Sequence, residues 1–147
     1  EGMKKLVDHA RGTGVTLLLE NVPFTFLPTA KDMKETAELI DPSIGINFDI
    51  CNSVFIKEDP AAAIHMLGDM LKNVHISDSG AEEFKHARLG TGIVDPGPSF
   101  KALQEIGYRG ATVMEIITDA LDANSDPDED IRASHAILAS HGWKPLG

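Results

Sequence analysis

The sequence has 147 residues, 42% hydrophobic and 24% charged, a balance that folds as one domain and argues against a disordered chain. Its 13 Lys+Arg against 23 Asp+Glu leave a net charge of −10, which opposes binding along a phosphate backbone, because that needs a basic face to displace counterions. The single cysteine, Cys51, excludes an internal disulfide and fits a reducing, cytoplasmic location; no apolar run reaches the ~20 residues of a membrane helix, and no charged-then-apolar leader opens the chain.

In chain order, the pattern begins with a helix over Met3–Arg11 that stops at Gly12. Val15–Glu20 (VTLLLE) is the first of four short apolar runs without strict polar alternation, as expected of strands buried in a parallel sheet. A helix over Ala30–Ile40 follows, with Thr29 as N-cap and Asp32 placed to complete a capping box. Ile44–Asp49 (IGINFD) is the second strand, and its helix runs over Pro60–Leu71, capped by Asp59 with Pro60 in the first turn. Asn73–Ser77 (NVHIS) is the third strand, followed by a helix over Pro98–Ile106 that closes at Gly107. Ala111–Ile117 (ATVMEII) is the fourth. The last helix spans Pro127–Ser140, with Asp126 as cap, Glu129 completing a capping box and Gly142 as the stop. The acidic run Asp126–Asp130 therefore reads as a helix N-terminus and not as a metal loop. Trp143 is expected to anchor this helix. His9, His65, His135 and His141 lie in helical patterns, as surface or boundary residues.

Alternating β and α segments imply a parallel sheet, open or closed into a barrel. An open nucleotide-binding sheet has a glycine-rich turn between its first strand and helix; Gly12-Thr13-Gly14 and Gly90-Thr91-Gly92 both stand outside that context. A complete (β/α)8 barrel takes about 250 residues, and this chain supplies four units and opens, without Met, inside an apparent helix. The expectation is that 1–147 form a single partial domain, the C-terminal half of a barrel. Such a half exposes two unpaired strand edges, so it is expected to form a homo-oligomer or to pair with the missing half barrel.

Each strand delivers one metal-capable side chain near its carboxyl end: Glu20, Asp49, His75 and Glu115. In barrels that end is the active-site face. Positions of the same parity, among them Asn47 and Asn73, would line the lumen, while the alternate aliphatic positions pack under the helices. One acid at a strand end usually caps a helix or forms an ion pair; four strands ending this way point to a shared task. Three carboxylates brought together would repel one another and take up protons unless a cation joined them. With one imidazole the set suits Mn²⁺, Co²⁺, Mg²⁺ or Zn²⁺ better than a thiolate-seeking ion.

The stretches Leu18-Leu19-Glu20-Asn21, Asn47-Phe48-Asp49-Ile50-Cys51-Asn52, Val74-His75-Ile76-Ser77-Asp78 and Val113-Met114-Glu115-Ile116 resemble the xylose-isomerase-like TIM barrel superfamily, in particular its sugar-phosphate isomerase/epimerase group. The loop from His86 to Asp95, then Phe100-Lys101-Ala102-Leu103 and Gly107-Tyr108-Arg109-Gly110, extend the resemblance over nearly the whole chain, as strands five to eight of that barrel. It implies a divalent metal ion held by Glu20, Asp49, His75 and Glu115. It further implies a sugar or keto-sugar substrate chelated through its carbonyl and adjacent hydroxyl oxygens, and proton transfer by Glu20 and Glu115 through a cis-enediolate.

Two positions depart from that pattern. Asn52 stands where many epimerases of the group have a substrate-contacting His; it can hydrogen-bond a hydroxyl but cannot shuttle a proton near neutral pH. Ala81 stands where several relatives have an Arg, leaving Arg88 as the candidate replacement. Asn52, His86 and Arg88 are thus the expected substrate-binding residues, with His86 alternatively supporting a ligand carboxylate. Asp78 is expected to hold a backbone turn, and Cys51 to be inert packing. Three other readings stand beside sugar isomerisation. One is an inosose-dehydratase-like lyase on the same scaffold, and another a catalytically silent half barrel. The third, a DNA-cutting relative, is opposed by Asn52 and by the acidic charge.

Overall fold

Four strands lie side by side in chain order, all parallel, each joined to the next through helices on one face. The computed structural model describes residues 1–117 and 126–144. The elements are α1 (Gly2–Ala10), β1 (Leu18–Glu20), α2 (Ala30–Ile40), β2 (Gly45–Asp49), α3 (Ile50–Phe55), α4 (Pro60–Leu67), β3 (Leu71–Ile76), α5 (Pro96–Glu105), β4 (Ala111–Met114) and α6 (Pro127–Ser140). These are parallel β/α units of the expected barrel type.

Caps place most of the helices. Thr29 and Asp32 form the expected capping box on α2, Asp59 accepts from the Ala61 and Ala62 N–H groups of α4, and Asp126 accepts from those of Asp128 and Glu129. Glu129 itself reaches Arg88, so the start of α6 rests on Asp126. Several boundaries differ from the sequence reading: β1 begins at Leu18 and not at Val15, and β4 ends at Met114, one residue before Glu115. Helix α4 ends at Leu67 because Gly68 turns into positive φ (49°), and after a 3-10 turn over Gly68–Met70 the strand begins at Leu71. Helix α5 starts at Pro96, with Asp95 as its cap, two residues before Pro98. Helix α3 was not expected: it has six residues, too few to show an amphipathic period, and Asp49 caps it.

Alternation along the strands separates two environments. Ile46, Phe48, Val74 and Ile76 are fully buried against Ala30, Met33, Ala37, Ile64 and Leu67 of the covering helices. Each large side chain so buried contributes roughly 1.5–3 kcal/mol of hydrophobic stabilisation. The opposite parity carries Asn47 and Asn73, joined by a 3.0 Å hydrogen bond, and the site residues. Strands β1 and β4 each pair on one side, and Leu18 and Val113 are exposed there. Trp143 packs on the core and meets His135 edge-on at 5.5 Å, which fastens the end of α6. Among the described residues, no helix is long and apolar enough to cross a membrane.

Candidate metal centre and its surroundings

Parallel pairing fixes the relative height of the strand ends. Asp49 lies opposite His75 in the β2–β3 register, and the Glu115 N–H continues the β3–β4 ladder by donating to the Ile76 carbonyl at 3.1 Å. The four strand-end side chains consequently converge. His75 Nδ1 lies 3.2 Å from Glu20 Oε1 and 3.0 Å from Glu115 Oε2. One potential ligand atom from each of Glu20, Asp49, His75 and Glu115 lies within 4.8 Å of all the others.

Asp49 serves two structures with its two oxygens. Oδ1 accepts the Asn52 N–H at 2.9 Å and starts α3. Among the described residues Oδ2 is buried without a hydrogen-bond partner, an arrangement that is expensive for a carboxylate oxygen unless a cation faces it. Burial pushes the Asp49 carboxyl up to about 7; the Asn52 hydrogen bond opposes that shift, and the nearby Glu115 and Glu20 carboxylates add to it. A divalent ion with ligand bonds of about 2.0–2.4 Å separates opposed ligands by about 4–4.8 Å. The spacing, the orphaned Oδ2 and the three-carboxylate, one-imidazole set therefore fit such an ion.

A second layer holds these side chains in place. The Asn21 side chain clamps residue 49, accepting its N–H at 2.8 Å and donating to its carbonyl at 2.9 Å. Asn47 Nδ2 lies 3.4 Å from the His75 ring, with Asn47 Oδ1 accepting from Asn73. The clamp by Asn21 and the bracing by Asn47 were missed in the sequence; a buried amide beside a strand-end acid was the available signal.

His86 comes to the cluster from the long loop after β3. Its Nδ1 lies 3.0 Å from Ser77 Oγ, 3.5 Å from Glu115 Oε2 and 3.7 Å from Asp49 Oδ2. Asp78 builds that loop. Its fully buried carboxylate accepts five backbone N–H groups, those of Ser79 and Val94 on Oδ1 and those of Gly90, Thr91 and Gly92 on Oδ2. Gly92 passes so close that a β-carbon there would collide with the Ser79 carbonyl, and Gly90 takes φ 85°. Asp78 thus has the structural part expected of it.

Asn52 and Arg88 are placed differently from these five residues. Asn52 is 2% exposed; its amide donates to the Asn21 carbonyl at 2.8 Å, and its Oδ1 has no partner among the described residues. Arg88 directs its guanidinium to the start of α6, 3.6 Å from Glu129 and 3.9 Å from Asp130. Cys51 is buried, donates to the Lys85 carbonyl at 3.2 Å, and has its thiol pushed up to about 12 by burial, which makes it inert at neutral pH.

Comparison with known proteins agrees with the fold. The family model for the xylose isomerase-like TIM barrel matches residues 1–141. An inosose dehydratase of Lacticaseibacillus casei is 25% identical over 141 residues, covering 84% of this chain and 47% of that protein. A ketose 3-epimerase of Arthrobacter globiformis is 31% identical over 121 residues, covering 80% of this chain and 40% of that protein. Among solved structures, an L-ribulose 3-epimerase superposes with a TM-score of 0.78 at 23% identity, over 95% of this chain and 50% of the other. The chain spans about half the length of the relatives it matches.

Proposed function

Because the chain belongs to the xylose isomerase-like TIM barrel family, we propose that it carries the metal centre of a sugar isomerase or epimerase. Glu20, Asp49, His75 and Glu115 would hold one divalent ion, Mn²⁺, Co²⁺, Mg²⁺ or Zn²⁺. When bound, that ion supplies positive charge beside a carbonyl oxygen and so acidifies the neighbouring C–H. Asp49 and His75 serve as ligands only. Glu20 ends the first strand of the sheet and Glu115 directly follows the last, and so they would approach a substrate from two sides. One glutamate removes the proton from the carbon next to the carbonyl, leaving a cis-enediolate, and the other returns a proton from the opposite side. His86, beside Glu115, and the free Oδ1 of Asn52 offer contacts for sugar hydroxyls. Arg88 reaches a substrate only by giving up Glu129 and Asp130.

The observation that carries this reading is the meeting of four potential ligand atoms within 4.8 Å, with one Asp49 oxygen buried and unpartnered among the described residues. The test is incubation of the Mn²⁺-loaded protein with keto-sugars in D₂O, followed by NMR. Deuterium should enter at the carbon beside the carbonyl, and Glu20→Gln and Glu115→Gln should each slow that exchange by about 10²–10⁴-fold. Absence of exchange in protein shown to hold its metal overturns the proposal. The match to inosose dehydratases favours a second reading, in which the same proton removal is followed by loss of water; mass spectrometry of the products separates the two. Pairing of the exposed β1 and β4 edges with a second copy or with a complementary half barrel is part of the proposal. A catalytically silent fragment is its counterpart, and light scattering together with the exchange assay distinguishes them.

A further inference from the structure

Beside the four-residue cluster, the same end of the sheet holds a second group of potential metal ligands, and this one includes sulfur. One potential ligand atom from each of Asp49, Cys51 and His86 lies within 4.8 Å of the other two. Asp49 ends β2, Cys51 stands in the first turn of α3, and His86 belongs to the loop after β3. Asp49 and Cys51 are fully buried and the His86 side chain is 11% exposed. The group therefore sits on the two central strands and takes nothing from the open β1 and β4 edges.

Local structure brings the three side chains together. Asp49 Oδ1 is committed to the Asn52 N–H, while Oδ2, 3.7 Å from His86 Nδ1, is buried and unpartnered among the described residues. Cys51 Sγ meets the carbonyl of Lys85, the residue before His86, at 3.2 Å. On the other side of His86, the backbone groups of Ala87 and Asp78 pair at 2.8 and 3.0 Å, and Ser77 Oγ stands 3.0 Å from Nδ1. The imidazole is thus held at a fixed place beside the thiol. A thiol that only fills space needs neither an imidazole nor a bare carboxylate oxygen next to it. The buried, unpartnered Oδ2 calls for positive charge.

We infer that Asp49, Cys51 and His86 form a second metal site, for a thiolate-seeking divalent ion of the Zn²⁺ and Cd²⁺ class, adjoining the first through Asp49. Carboxylate, imidazole and thiolate are the ligand types that Zn²⁺ accepts, and three protein ligands leave a fourth place for water. Mn²⁺ and Mg²⁺ favour oxygen and stay with the carboxylate-rich group. Without an ion the thiol keeps its proton. As the sulfur–metal bond forms, the S–H bond breaks and the proton passes to solvent. Cys51 then gives up the Lys85 carbonyl. The inference invokes no turnover and stands apart from the sugar reading.

The experiment adds Cd²⁺ alone to the metal-free full chain, kept reduced with a phosphine, and follows the ultraviolet thiolate-to-Cd²⁺ charge-transfer band. Cys51 is the single cysteine, so the band reports this group and not the first one. It should saturate at the intensity of one cadmium–sulfur bond per chain and vanish in Cys51→Ser. His86→Ala should raise the Cd²⁺ concentration at half-saturation by about tenfold or more, since losing a ligand costs at least as much as losing a partner behind one. Glu20→Gln, which belongs to the first group alone, should keep the band at full strength. Circular dichroism verifies that each variant is folded, and His86→Gln takes the place of His86→Ala if the smaller side chain unfolds the loop. X-ray absorption at the cadmium edge should find one sulfur in the ligand shell beside nitrogen and oxygen. No band and no sulfur neighbour at saturating Cd²⁺, or an unchanged half-saturation in a folded His86 variant, overturns the inference.

Discussion

Replacing Asp78 by asparagine tests the electrostatic frame of the site. Five backbone N–H groups converge on its buried carboxylate at 2.8–3.1 Å. In Asp78→Asn the amide nitrogen must face one group of these donors. Its oxygen can keep the Gly90, Thr91 and Gly92 bonds, leaving the Ser79 and Val94 N–H groups opposed by another donor. A hydrogen bond to a charged group contributes about 1.5–3 kcal/mol, so two lost bonds amount to roughly 3–6 kcal/mol, before any weakening of the remaining three. That is a large part of a typical domain stability of about 5–15 kcal/mol. Asp78→Ala would strand all five donors, roughly 7.5–15 kcal/mol by the same figure and so as much as the whole stability of a typical domain, which makes the asparagine variant the readable one. Urea unfolding should show a lower midpoint, and the Ser79 and Val94 amides should exchange hydrogen much faster than in the wild type. Wild-type protection of those amides, with a midpoint loss under about 1 kcal/mol, would refute the reasoning. Because Asp78 bridges to Ala87, next to His86, the variant should also blur the position of His86 against Glu115.

Other perturbations address the same frame. Gly92→Ala should destabilise the protein by several kcal/mol, comparably to Asp78→Asn and not additively with it, because the new methyl would enter the same nest of N–H groups; a double-mutant cycle in urea measures this. In metal-free protein the Asp49 carboxyl, raised to about 7, keeps its proton in the folded state at pH values where the unfolded chain, near 3.8, has released it. The stability from that proton is fully present below about pH 4 and is lost as pH rises through about 7, so the urea midpoint in EDTA should fall over that window and Asp49→Asn should flatten the fall. Adding Mn²⁺ at neutral pH should raise the unfolding free energy by about 2.7 kcal/mol at a hundredfold excess over its Kd. Asp49→Asn and His75→Ala should shrink that gain, as read by thermal unfolding with and without the ion.

The parts of this molecule that were readable in its sequence are those set by local pattern and chain topology. Once four apolar runs are taken as parallel strands, their carboxyl ends must share one face, so Glu20, Asp49, His75 and Glu115 could be grouped before any side chain was placed. Thr29, Asp59 and Asp126 were likewise recognisable as caps, because a cap acts within its own first turn. The start of α5 was harder: Pro96 and Pro98 both suit a first helical turn, and the choice fell to the Asp95 side chain accepting the Gly97 N–H. The residues that steady the site follow another rule. Asn47 braces His75 only because the β2–β3 register sets it opposite Asn73, and Asn21 clamps Asp49 only because β1 lies against β2. Arg88 turns to Glu129 and Asp130, a choice made by the acidic start of α6, far away in the chain. Side chains whose partners lie across a strand or on a distant helix become readable only after the sheet order and register are known. The four clustered strand-end residues could therefore be grouped from the sequence, while the amides that hold them in place needed the fold.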